Sequence, residues 1–120
     1  MNYNLKGTGL QITDEIRDYV EKKLQGADKF VGDDSTAHTD VEVVYQTSES
    51  REHYRAEFTL QYRGVVHRAE ASGEKLHEAI DIATDELVQE LRRTKKKSLS
   101  LIRRGSATVK DFLRGFRTKP

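Results

Sequence analysis

Apolar and polar side chains alternate without a slip from Tyr54 to Arg63: Tyr54, Ala56, Phe58, Leu60 and Tyr62 against Arg55, Glu57, Thr59, Gln61 and Arg63. A strict period of two is the mark of a strand with one buried face. Val41, Val43 and Tyr45 repeat the pattern before it, with Glu42, Val44 and Gln46 opposite, and the polar stretch Thr47–Glu52 connects the two. After Gly64, Val65, His67, Ala69 and Ala71 share one face of a further strand, with Val66, Arg68 and Glu70 on the other. Near the start, Tyr3, Leu5 and Gly7 mark a short first strand.

Two segments change to the helical period. Thr13 is a suitable N-cap, followed by Asp14 and Glu15 where the helix dipole favours acids. Ile16, Tyr19, Val20, Leu24 and Ala27 then recur on one face, which predicts a helix of about four turns. Gly26 and the cluster around Gly32 punctuate its exit, with Phe30 and Val31 tucked under the core. The second helix follows Ser72-Gly73, and its buried stripe is Leu76, Ala79, Ile80, Ala83, Leu87 and Leu91. It runs to about Lys97, or about 36 Å at 1.5 Å per residue, longer than the sheet it covers. Its last two turns should therefore project. The predicted architecture is α+β, in the order β-α-β-β-β-α, with a four-stranded sheet and both helices on one face.

Residues 98–120 read differently. Ser98–Gly105 is expected to be a short connector, and Ser106 to cap a small amphipathic helix with Val109, Phe112, Leu113 and Phe116 on one face. So short a helix is marginal alone. Two roles are open for it, partner docking and a basic membrane-surface helix, and its single short apolar stripe favours docking or RNA contact. The expected organisation is a 1–97 domain and a basic 98–120 tail.

Charge sharpens this division. The formal net charge is only +1, yet residues 1–91 hold 10 Lys/Arg against 19 Asp/Glu, whereas residues 92–120 hold 11 against one acid, Asp111. Arg92, Arg93, Lys95, Lys96 and Lys97 fall within six residues, and the nearby Glu86 and Glu90 are too few to neutralise them. A cluster this dense, beside an acidic body, is suited to a polyanion. Composition excludes other classes. There is no cysteine, hence no disulfide framework, thiolate metal site or Cys nucleophile, which fits a reducing cytoplasm. No apolar run reaches membrane-spanning length, and the first residues lack a signal-peptide profile.

Catalytic chemistry finds no foothold. None of His38, His53, His67 and His77 forms a zinc-protease pair. His77 and Asp81, four apart on the second helix, have the spacing to share a metal, but an exposed ion pair is the preferred reading. Gly7-Thr8-Gly9 resembles the opening of a dinucleotide loop, but Ile12 stands where the third glycine belongs and the later strands read as antiparallel meanders. Tyr45, Tyr54, Phe58 and Tyr62 have the chemistry of a base-stacking platform, yet their alternation with polar residues assigns them to the core. No enzyme, cofactor, metal or small-molecule substrate is expected.

Two stretches carry a family resemblance: Leu10–Leu24 (LQITDEIRDYVEKKL) and Ala69–Leu91, with Gly73, Ala79-Ile80-Asp81, Leu87 and Leu91. Together with the order of elements over about residues 1–97, the chain resembles the ribosome hibernation-promoting factor family, which includes the ribosome-associated translation inhibitors. The resemblance implies a cytoplasmic, non-enzymatic protein lodged on the small ribosomal subunit between head and body. There it would overlap the mRNA channel and tRNA sites and silence translation under stress or in stationary phase. It implies ribosomal RNA contacts at Lys22 and Lys23 on the first helix and Arg92, Arg93, Lys95, Lys96 and Lys97 on the second. Lys75 and His77 stand where the family commonly has an acid and a tyrosine. Lys75, Arg103, Arg104, Lys110, Phe112, Arg114, Phe116 and Arg117 are further candidates for RNA or partner contact. The tail is too short for the ribosome-pairing domain of long-form members, so the resemblance is to a short form. Two rival readings are a generic double-stranded RNA module and a protein-interaction or transcription-modulating domain docking through Phe112–Phe116.

Overall fold

The structure, a computed structural model, describes residues 1–32, 34–48 and 51–104, excepting the side chains of 48, 51, 52 and 97–104. Six elements follow in order: β1 (Asn2–Thr8), α1 (Asp14–Val31), β2 (His38–Ser48), β3 (Arg51–Tyr62), β4 (Val65–Gly73) and α2 (Leu76–Arg104). They build the expected β-α-β-β-β-α layer. The sheet order is β1-β2-β3-β4, with β2, β3 and β4 an antiparallel meander.

The pairing of β1 departs from the meander expectation. It lies parallel to β2, with Leu5 opposite Val41, so β1-α1-β2 is a crossover unit. Strand direction therefore no longer counts against a dinucleotide loop after β1, while the missing third glycine, Ile12 in its place, still does. Gly9 has a different task. At φ +76 it turns the chain out of β1, and a Cβ there would come within 2.6 Å of the Tyr45 carbonyl oxygen.

Helix α1 starts as its sequence dictates. Thr13 is extended and its hydroxyl accepts from the Ile16 N–H at 3.2 Å, satisfying one donor of the first turn. It runs to Val31, about one turn beyond the expected four, and closes at Gly32, where φ is +60. Gly26 sits inside the helix against α2, where a Cβ would lie 3.7 Å from the Val88 side chain. The cost of an interior glycine, about 1 kcal/mol, is offset by packing of the long helix on its neighbours.

The core fills the space between the helices and one sheet face. Val20, Leu24, Ala27 and Val31 of α1 and Ala79, Ile80, Ala83, Leu87 and Leu91 of α2 meet Val41, Val43, Ala56, Phe58, Leu60 and Ala69 of the sheet. Phe58 is fully buried, and Tyr54 and Tyr62 pack partly buried against the same cluster. The aromatic alternation is thus core, as the period of two required. Among the described residues the other sheet face carries no aromatic platform. There Arg55 pairs with Glu70 at 2.8 Å and Glu57 at 3.5 Å.

Helix α2 is longer than expected. The connector expected from Ser98 is helical through Arg104, because no proline or glycine intervenes before Gly105 and serine costs a helix only a fraction of a kcal/mol. Among the described side chains the buried stripe ends at Leu91, and the helix continues from Arg92 to Arg104, about 20 Å further. The amphipathic helix expected from Ser106 lies outside the described residues.

Candidate nucleic-acid interface

The cations of α2 are placed by its length. Leu87 and Leu91 anchor the helix on the sheet, and the turns beyond them carry Arg92, Arg93, Lys95 and Lys96, all exposed. None of these four makes an ion pair among the described residues. The carboxylate that could have reached them, Glu90, instead lies within 3.5 Å of the buried His67 Nδ1, without forming a hydrogen bond to it. Basic side chains at this end also complement the helix dipole. Lys97, Arg103 and Arg104 continue the same helix.

The direction of α2 fixes what lies beside this cluster. A Cβ on Gly73 would come within 2.8 Å of Glu78 Oε1, and six strand residues earlier His67 meets Glu90. Six residues of strand span about 20 Å and twelve of helix about 18 Å, so α2 runs back antiparallel along β4. Its basic end therefore returns to the β3–β4 hairpin turn.

The α1 candidates sit elsewhere and differ from one another. Lys22 is exposed, whereas Lys23 is half-buried with its ammonium 3.2 Å from Asp81 of α2. Tyr19, one turn before Lys23, donates its hydroxyl to the same carboxylate. This bond pushes the Tyr19 phenol up to about 12, with burial and the Asp81 charge adding to it. In return, chiefly through the Tyr19 hydrogen bond, the Asp81 carboxyl is held below its ordinary range, with Lys23 and His77 helping. His77 stacks edge-on against Tyr19, centroids 4.3 Å apart, and its Nε2 lies 3.4 Å from Glu15.

The expected His77–Asp81 pair within α2 is not what forms. Both residues turn across the groove to α1, where Glu15, Tyr19 and Lys23 present one complementary face. Among the described residues no group of three or more acids and histidines is arranged to hold a metal ion. Lys75, exposed just ahead of α2, is at the far end of the helix from Arg92, about 25 Å away along its axis. Lys110, Phe112, Arg114, Phe116 and Arg117 lie outside the described residues. Among the described residues, no helix is long and apolar enough to cross a membrane.

Two parallel-running helices on a mixed four-stranded sheet, with a cationic helical extension beyond an acidic body, define an α+β binding fold built around charge. Residues 3–98 match the family described as Sigma 54 modulation protein / S30EA ribosomal protein, and the chain belongs to that family. It is 31% identical over 100 residues to the ribosome hibernation promotion factor of Bacillus subtilis, covering 81% of this chain and 50% of the relative. The factor of the same name from Picosynechococcus is 33% identical over 101 residues, covering 82% and 51%. The chain thus spans about half the length of these curated relatives. The crystal structure of the Thermus thermophilus Protein Y N-terminal domain superposes with a TM-score of 0.64 at 34% identity, covering 78% of this chain and 98% of that one. A ribosomal subunit interface protein from Coxiella burnetii shares the fold, with a TM-score of 0.62 at 17% identity, covering 80% and 99%.

Proposed function

We propose that this protein is a cytoplasmic ribosome hibernation factor that binds the small ribosomal subunit in the region of the decoding site and mRNA channel and thereby inhibits translation. The observation that carries the reading is the row of cations Arg92, Arg93, Lys95 and Lys96, exposed and unpaired among the described residues, on the turns of α2 just past the core residue Leu91. Membership of the family and the names of the relatives support the ribosome as the partner. The contacts are to RNA phosphate and shape, needing no base code, and the protein acts by occupying space rather than by chemistry. Lys22 adds a cation from α1, and Lys97, Arg103 and Arg104 extend the row from α2.

The test is co-sedimentation with purified small subunits, comparing the native chain with one carrying Arg92→Glu, Arg93→Glu, Lys95→Glu and Lys96→Glu. The native chain should sediment with the subunit and slow a reconstituted translation reaction, and the charge-reversed chain should do neither. Unchanged co-sedimentation of the reversed chain overturns the reading. Equal affinity for plain RNA duplex would favour a generic double-stranded RNA module instead.

A further inference from the structure

The turn between β3 and β4 is two residues long, Arg63 and Gly64, flanked by the pair Tyr62 and Val65. Both turn residues lie in the left-handed region, Arg63 at φ 53 and Gly64 at φ 76. Turns of this kind match the twist of the strands and favour Asn-Gly, because asparagine adopts a positive φ at lower cost than a long side chain. Among the described residues Arg63 is the one non-glycine residue with positive φ. A backbone cost of this kind, when it is met at an exposed turn, points to what the side chain does outside the fold.

The location supplies the answer. With Gly73 level with Glu78 and His67 level with Glu90, the three further residues back to Gly64 correspond to about six or seven further residues along α2. The hairpin tip is therefore level with the Arg92–Lys97 stretch. Arg63 is exposed, and its guanidinium carbon lies 5.3 Å from the centroid of the Tyr62 ring, which steadies the planar group. Among the described residues no carboxylate is within ion-pair distance of it. Asp34 is the acid that feels its charge, but that carboxylate already accepts from the Thr36 N–H at 2.8 Å and the Thr36 hydroxyl at 2.5 Å.

We infer that Arg63 is a phosphate contact for ribosomal RNA, extending the basic end of α2 onto the sheet layer. The inference rests on the function proposed above and adds to it a second element. A single helix bearing cations leaves a partner free to roll about its axis, whereas an arginine fork offset from that axis fixes the roll. A phosphate, which offers two oxygens to a guanidinium fork and is repeated along a backbone, is the ligand this arginine and the neighbouring cations suit.

Arg63→Asn is the informative variant because it restores the favoured Asn-Gly turn while removing the charge. It should unfold at the same temperature as the native chain or higher, yet bind purified small subunits roughly tenfold more weakly, with a salt slope smaller by about 1. Arg63→Lys should keep the slope. Arg63→Gly removes the same charge without a side chain and should match Arg63→Asn in slope. If Arg63→Asn and Arg63→Gly keep native affinity and slope while the fourfold α2 reversal loses binding, this inference is wrong and the ribosomal reading stands. If the α2 reversal also binds normally, the ribosomal reading falls and this inference with it.

Discussion

Tyr19 on α1 donates a hydrogen bond to the carboxylate of Asp81 on α2, joining residues 62 apart in the chain at the surface where the two helices meet. Lys23 reaches the same oxygen, so one carboxylate fixes two successive turns of α1. This cluster sets how far apart the cations of the two helices are held.

Removing that bond should loosen the fold without emptying the core. Tyr19→Phe is expected to cost about 1 kcal/mol at pH 7, read from chemical denaturation. The pH dependence has two limits. Asp81 is depressed in the folded chain, so its contribution is present above the ordinary carboxylate range and is lost as pH falls through the folded value. Tyr19 is raised to about 12, so its contribution is present below its ordinary value of 10.0 and is lost as pH rises toward the folded one. The stability difference between native and Tyr19→Phe chains should thus be flat near neutrality and shrink at both extremes. A difference that grows on acidification would contradict the assignment.

The two neighbouring lysines of α1 should separate in a binding experiment. Lys22→Met removes an exposed cation that is unpaired among the described residues, and should lower the salt slope of subunit binding by about 1. Lys23→Met removes one already paired with Asp81, so the slope should change less. Its partly exposed pair is worth no more than about 1 kcal/mol of stability. Equal slopes for the two variants would show that the pair opens on binding.

Gly9 is held by its surroundings as much as by its φ. Gly9→Ala places a Cβ 2.6 Å from the backbone oxygen of Tyr45, so β1 must shift from β2. A loss of about 1–3 kcal/mol is expected in thermal or chemical unfolding, with the transition remaining cooperative. An unchanged midpoint would mean that the chain turns differently after β1.

His67 offers the opposite sign. It is 2% exposed and neither ring nitrogen has a hydrogen-bond partner among the described residues, an arrangement that costs the folded state. His67→Leu, apolar and close in volume, is therefore expected to leave stability at pH 7 unchanged or raise it. A loss of more than about 1 kcal/mol would show that the imidazole has a partner in solution, Glu90 being the nearest carboxylate.

Much of this was legible in the chain because burial writes itself as a period. The alternation from Tyr54 to Tyr62 and the stripe from Ala79 to Leu91 each located an element and its inner face. Pairing was less legible: β1 lies parallel beside β2 because α1 carries the chain across the core, and no local pattern encodes that neighbour. Lengths are less legible too: α1 runs about a turn beyond the expected four, and the weak helix former Ser98 does not stop α2. In the site, the cationic run on α2 was visible as composition. The pairing of Lys23 with Asp81, the turn of His77 toward Glu15 and the return of α2 to Arg63 depend on how helices and sheet are laid side by side. Those relations exist only in three dimensions.

The proposed function has binding run through phosphate at the basic end of α2. Its most direct test is the affinity for purified small ribosomal subunits measured from 50 to 200 mM salt. With six to ten phosphates neutralised, affinity should fall by about 10³–10⁵ across that range, and the fourfold α2 reversal should bind too weakly to measure at either end. Affinity that is flat in salt, or equal for the reversed chain, would contradict it.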